Sequence, residues 1–224
     1  LNAFIQDDSL LIGAENEIEN LAKKNSAKIL VVSDSHGSYQ SLKMILHQTP
    51  CDAMIFCGDG FCDIARLIDE TAENENLQKF IPGVIGVVEG NNDADIYPVR
   101  NISSTDPYYI EFKIPLFNTI EICGKKIFFT HGHRNAVYIG CDQVVALAKK
   151  YECEIALYGH THVASEQFFL GDVLALNPGS CARPRCGQFP SFATLEISRE
   201  KNYVLPIFYQ IASQKIKPFH LENS

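Results

Sequence analysis

Five short segments combine carboxylate, amide or imidazole side chains with glycine: Asp34-Ser35-His36-Gly37, Gly58-Asp59-Gly60, Gly90-Asn91-Asn92-Asp93, His131-Gly132-His133 and Gly159-His160-Thr161-His162. They hold five of the seven histidines, His36, His131, His133, His160 and His162. Imidazole together with carboxylate is a donor set for Zn, Mn, Fe or Ni, whereas oxygen alone suits Mg or Ca. In the D-x-H and H-x-H steps, residues two apart in an extended turn point the same way, so each step can offer two donors to one ion. A lone D-x-H reads equally well as a capping Asp beside a surface His. Five such segments in order, each after an apolar run, are harder to obtain by chance.

The runs that precede them are short and β-branched. KILVVS (28–33), AMIFC (53–57), VIGVVE (84–89), KIFFT (126–130), EIALY (154–158) and VLAL (173–176) read as buried strands, the last leading into Asn177-Pro178-Gly179-Ser180. Helical patterns lie between them. AENEIENLAKK (14–24) is acidic first and basic last, as the helix dipole favours. A helix follows Ser38 as N-cap, with Leu42, Ile45 and Leu46 at helical spacing, and a third covers 62–79. A fourth covers 137–151, with Val137, Cys141, Val144, Leu147 and Ala148 on one side. The stretch 107–122 has strand composition, and the tail from SFATLEI to YVLPIFYQI reads as a hairpin. Ligands of open α/β sheets bind outside the carboxyl ends of the strands, so distant segments can converge on one point.

Composition narrows the partners. The net charge is −8 over 224 residues with scattered Lys and Arg, which argues against non-specific nucleic-acid binding. An anionic substrate would then have to be attracted by bound cations. No apolar run approaches the ~18–20 residues of a membrane span. The start, LNAFIQDDSL, does not read as a targeting segment, so the expected location is cytoplasmic. The eight cysteines form no C-x-x-C pair and read as reduced thiols in apolar surroundings.

The ordered series Asp34-x-His36, Gly58-Asp59, Gly90-Asn91-x-Asp93, His131 and Gly159-His160-x-His162 resembles the calcineurin-like metallophosphoesterase signature. The His131-Gly132-His133 form and the Asn177-Pro178-Gly179-Ser180 segment are similar to the small bacterial and archaeal phosphodiesterase branch, which includes the retromer subunit Vps29. The resemblance spans about residues 27–200. It leaves 1–25 as a partly helical extension before a domain of 26–224. It implies an α/β fold, a four-layer αββα sandwich with mixed sheets. It also implies two divalent ions, with Mn2+ expected and Zn2+, Fe2+ or Ni2+ as alternatives. Asp34, His36 and His162 would hold the first, Asn91, His131 and His160 the second, and Asp59 would bridge them. Such a pair polarises phosphoryl oxygens and acidifies a bridging water, giving hydroxide for in-line attack near neutral pH.

The implied activity is hydrolysis of a small phosphate ester, a phosphodiester before a monoester, and the alternative is a catalytically weak Vps29-like protein-interaction scaffold. Many members have His after the metal-binding Asn, assigned to the leaving-group oxygen; here the residue is Asn92. An amide donates a hydrogen bond but no proton, so either activated esters are favoured or another group, with His133 nearest in sequence, serves as acid. Asp93 either orients a ligand or caps the next turn. Arg183 and Arg185 are candidates for binding the substrate phosphate, or a solvated basic loop. The 107–122 segment and the C-terminal hairpin offer edges for a homodimer.

Overall fold

A computed structural model describes residues 5–100, 109–169, 173–213 and 215–221. Two mixed sheets face each other. The first runs β13(Lys215–Phe219), β12(Tyr203–Ala212), β11(Ser191–Ser198), β1(Ser26–Val32), β2(Ala53–Phe56), β3(Val84–Val87). The second runs β6(Phe117–Ile122), β7(Lys125–Thr130), β8(Ile155–Leu157), β10(Val173–Pro178), β9(Ala164–Phe169). Parallel pairing joins β1 to β2 to β3, and β7 to β8 to β10.

The period of two along each strand sorts its side chains. Ile29, Val31 and Ile55 of the first sheet meet Ile127, Phe129, Ile155 and Leu174 of the second. Leu30, Val32, Met54 and Phe56 turn outward beneath the helices α2(Tyr39–Gln48) and α3(Phe61–Thr71). On the far side Phe128, Ala156 and Ala175 pack against Val144 and Ala148 of α5(Asp142–Lys150). Helices, sheet, sheet, helix: the four expected layers are present. A ribbon of β4(Ile96–Arg100) and β5(Tyr109–Lys113) packs Val99 and Phe112 against the helical layer. Ahead of β1, α1(Glu15–Lys23) buries Leu21 in the inter-sheet core, and Ile12 bridges Ile85. No described helix is long and apolar enough to cross a membrane.

Local competition moved several boundaries. The helix expected over 62–79 is split into α3 and the short α4(Glu75–Gln78), because Asn74 accepts from Asn76 N and Leu77 N and restarts the helix. The helix expected from 137 begins at Asp142, since Ala136 and Gly140 have φ of 50° and 147°. Val137 and Cys141 are buried all the same. Ser38 stands at the N-cap position of α2, but its hydroxyl turns to Ser41 Oγ at 2.8 Å. The 107–122 stretch contributes to two sheets, β5 before Pro115 and β6 after it; residues 107 and 108 lie outside the described ones.

Candidate metal centre

The strands β1, β2, β3, β7, β8 and β10 end on one side of the sandwich, and their terminal loops meet there. Asp34, His36, Asp59, His160 and His162 all have positive φ, from 45° to 68°. Such backbone costs a non-glycine residue about 1–3 kcal/mol and persists only where its surroundings impose it. Here the imposing bonds run between loops. Asp34 N donates to Gly58 O at 2.9 Å, His36 N to Asp59 O at 3.0 Å, and Gly159 N to His131 O at 3.0 Å. Gly60, with φ 148°, is needed for this closeness, because a Cβ there would lie 2.0 Å from Ser35 Oγ.

Asp34, His36, Asp59 and His162 each offer a ligand atom, and the four atoms lie within 4.8 Å of one another. His162 Nε2 is 3.1 Å from Asp34 Oδ1 and 3.1 Å from His36 Nε2. His36 Nε2 is 3.7 Å from Asp59 Oδ2, and His131 Nε2 is 3.4 Å from the same oxygen. His160 Nδ1 lies 3.2 Å from His131 Nε2.

The imidazoles are oriented from behind. His162 Nδ1 donates to Arg183 O at 2.6 Å and His131 Nδ1 to Cys57 O at 2.7 Å. A carbonyl only accepts, so both Nδ1 atoms carry hydrogen and each ring turns its Nε2 inward to the cluster. Asp34 Oδ1 is fully buried and has no hydrogen-bond partner, while Oδ2 accepts from Ser33 Oγ at 2.5 Å and His160 N at 3.1 Å. Lone pairs and a bare carboxylate oxygen repel unless a cation or proton lies among them, so these residues fit a divalent ion.

The electrostatics agree. Burial foremost lowers the His36 pKa, against the charges of Asp34 and Asp59; burial and then His131 lower that of His160. Burial would lower His131 too, but its bond to Asp59 and the two carboxylate charges raise it overall. Burial pushes Asp59 up, yet His131 and two bonds from Asn92 outweigh this and hold it well below the usual carboxylate range. Protons and cations therefore compete for the same crowd of donors.

Asn92 donates through N to Asp59 Oδ1 at 2.8 Å and through Nδ2 to Asp59 Oδ2 at 2.6 Å, so its amide is engaged with the carboxylate. Asp93 accepts four backbone hydrogen bonds. It accepts from Gly60 N and Phe61 N at 2.9 Å each, capping α3, and from Asp59 N at 2.7 Å and Gly90 N at 3.1 Å. His133 lies beside the cluster, its ring centroid 5.4 Å from that of His131 and its Nδ1 buried without a partner. Burial, helped by His131 and Arg134, lowers its pKa. Asn91 is exposed, and its side chain makes no hydrogen bond to a described residue.

Arg183 and Arg185 are exposed, and both contribute through backbone: Arg183 O holds His162, and Arg185 N donates to His162 O at 3.1 Å. The Arg185 guanidinium bonds Tyr138 Oη, which donates to His160 O at 3.2 Å. Three further residues support the site, and of these only Ser180, in the Asn177-Pro178-Gly179-Ser180 segment, lay in a stretch the sequence marked out. Ser33 holds Asp34, Ser180 Oγ donates to Asp34 O at 2.7 Å, and Asp63 holds the loop around His36. For Ser33 and Asp63 the only trace was polarity next to apolar runs.

Residues 27–200 match the Calcineurin-like phosphoesterase superfamily domain, and the chain belongs to that family. It is 27% identical over 191 residues to the probable metallophosphoesterase YsnB of Bacillus subtilis, covering 84% of this chain and 94% of that protein. It is 28% identical over 184 residues to the phosphodiesterase MJ0936 of Methanocaldococcus jannaschii, covering 79% and 96%. The fold is also that of Vacuolar Protein Sorting 29 from Cryptosporidium parvum, with a TM-score of 0.62 at 19% identity over 88% of this chain and 97% of that one.

Proposed function

We propose that this phosphoesterase is a two-ion phosphodiesterase acting on a small molecule. Asp34, His36 and His162 would hold one ion and Asn91, His131 and His160 the other, with Asp59 shared between them. The observation that carries the reading is Asp34 Oδ1, buried and unpartnered among imidazole nitrogens aimed inward by backbone carbonyls. When bound, the ions, Mn2+ before Zn2+, Fe2+ or Ni2+, polarise the phosphoryl oxygens and acidify the attacking water. The chain's residues supply position. Asn92 and Asp93 fix Asp59, the Cys57 and Arg183 carbonyls fix two imidazoles, and His133 stands beside His131 as the candidate donor to the leaving oxygen. With the Asn92 amide occupied by Asp59, no strong proton donor faces the leaving group, which favours esters of acidic alcohols. Eight free thiols suit a reducing, cytoplasmic setting.

Relatives named as metallophosphoesterase and phosphodiesterase support the reading. The test is metal analysis together with hydrolysis of bis-p-nitrophenyl phosphate with added Mn2+, beside Asp59→Asn. Turnover that needs metal and is lost in the variant is expected. Neither metal nor turnover would leave the Vps29-like scaffold as the better account.

A further inference from the structure

Asp63 sits in the first turn of α3, where an acidic residue ordinarily serves the helix dipole from the surface. Here it is 3% exposed. Burial pushes its carboxyl pKa up, so its placement carries a cost that an exposed Asp would avoid. What it gains is specific. Oδ2 accepts from Ser35 Oγ at 2.5 Å and from Gly37 N at 3.1 Å, the residues on either side of His36. His36 itself has φ 45° and ties its N–H to Asp59 O. Gly60, at the start of the same helix, lies close enough to Ser35 that no side chain fits between them. One buried oxygen thus grips both flanks of a residue whose backbone conformation is strained.

We infer that Asp63 is a positioning residue for the metal centre: its Oδ2 bracket on Ser35 and Gly37 fixes the direction in which His36 presents Nε2. Asp63 touches neither ion nor substrate. The role rests on the ligand assignment proposed above, and it extends that assignment to a residue outside the five motif segments. It follows that the acceptor oxygen matters and the negative charge does not. Asp63→Asn keeps an oxygen in place and preserves the bracket, whereas Asp63→Ala removes it.

The test uses the full chain in two states. In the metal-free protein, the imidazole nitrogen–proton NMR signals of His36 and His131 are compared across wild type, Asp63→Ala and Asp63→Asn. Calorimetric titration with Mn2+ then follows on the same samples. Expected are a displaced or broadened His36 signal with His131 unmoved in Asp63→Ala, and a roughly 10–100-fold weaker affinity for one ion. Asp63→Asn should restore both. Unchanged His36 signals in Asp63→Ala, or failure of Asp63→Asn to restore them, overturns the inference. If wild type takes up no Mn2+, the metal reading falls while the His36 signals still decide the bracket. If Asp63→Ala does not fold, Ser35→Ala removes half of the bracket and is judged by the same His36 signals.

Discussion

The two halves of the proposed metal centre are built to different standards. Asp34, His36 and His162 are each braced by hydrogen bonds: Ser33, Ser180 and His160 N on Asp34, the Arg183 carbonyl on His162, and Asp63 on both flanks of His36. Around Asn91, His131 and His160 only the His131 ring is fixed from behind by a carbonyl, Cys57 O; His160 is tied through its backbone, to Asp34 Oδ2 and Tyr138 Oη, and the exposed Asn91 side chain makes no hydrogen bond to a described residue. A set of donors held in place before the ion arrives loses less ordering entropy on binding than a set the ion must gather. The braced half should therefore bind first and hold harder, leaving the other half exchangeable.

The most severe test of that comparison removes what the halves share. Asp59→Asn should abolish Mn2+-dependent hydrolysis and lower the affinity of both ions, read by metal analysis and calorimetry. Loss of one ion only would show that Asp59 does not bridge. Next comes one ligand from each side. His162→Ala should eliminate the tighter binding event, while Asn91→Ala should weaken the looser one by about tenfold or less. The reverse order of severity would break the comparison. Smaller again is Asn92→His, which frees Asp59 of an amide and places an acid at the leaving group. It should raise the rate on a poorly activated diester relative to bis-p-nitrophenyl phosphate by about tenfold or more, and an unchanged ratio would remove the role assigned to this position.

The smallest effect separates local bracing from general stability. Glu70 on α3 accepts from Tyr39 Oη and pairs with Lys43 of α2, and these bonds, Lys43 first, lower its pKa. A depressed folded value means the stabilisation is fully present above the ordinary glutamate range and is lost as pH falls through the folded value. Glu70→Gln should lower Tm by up to about 3 °C at neutral pH, with the difference vanishing in acid. Metal affinity should not change. A change would mean that α3 positions His36 by its overall seating and not through Asp63.

The donor types and the loops that hold them were legible in the sequence because both are local. An apolar run that stops at a polar, glycine-containing turn announces a strand and its terminal loop together, and the six such runs correspond to six of the strands meeting at the site. Strands β4, β9 and β13 were not read, since ASEQFF or KIKPF becomes a strand only through its partner, β10 or β12. The break at Asn74 and the late start of α5 turned on side-chain bonds and positive-φ residues that periodicity does not register.

The sequence by itself therefore offered the donor types at the strand ends and, through the family resemblance, the chemistry they would suit, because side-chain type and strand-end position are local. Only the tertiary structure decided how each residue is used. Asn92 was a missing acid in the sequence and is a clamp on Asp59 in space; Arg183 was a candidate phosphate binder and acts through its carbonyl on His162. Asp63 carried no distinct signal in the sequence, and in space its oxygen accepts from Ser35 and Gly37. Each of these roles is a hydrogen bond across a large sequence separation, fixed by how two loops pack and by nothing in either loop alone.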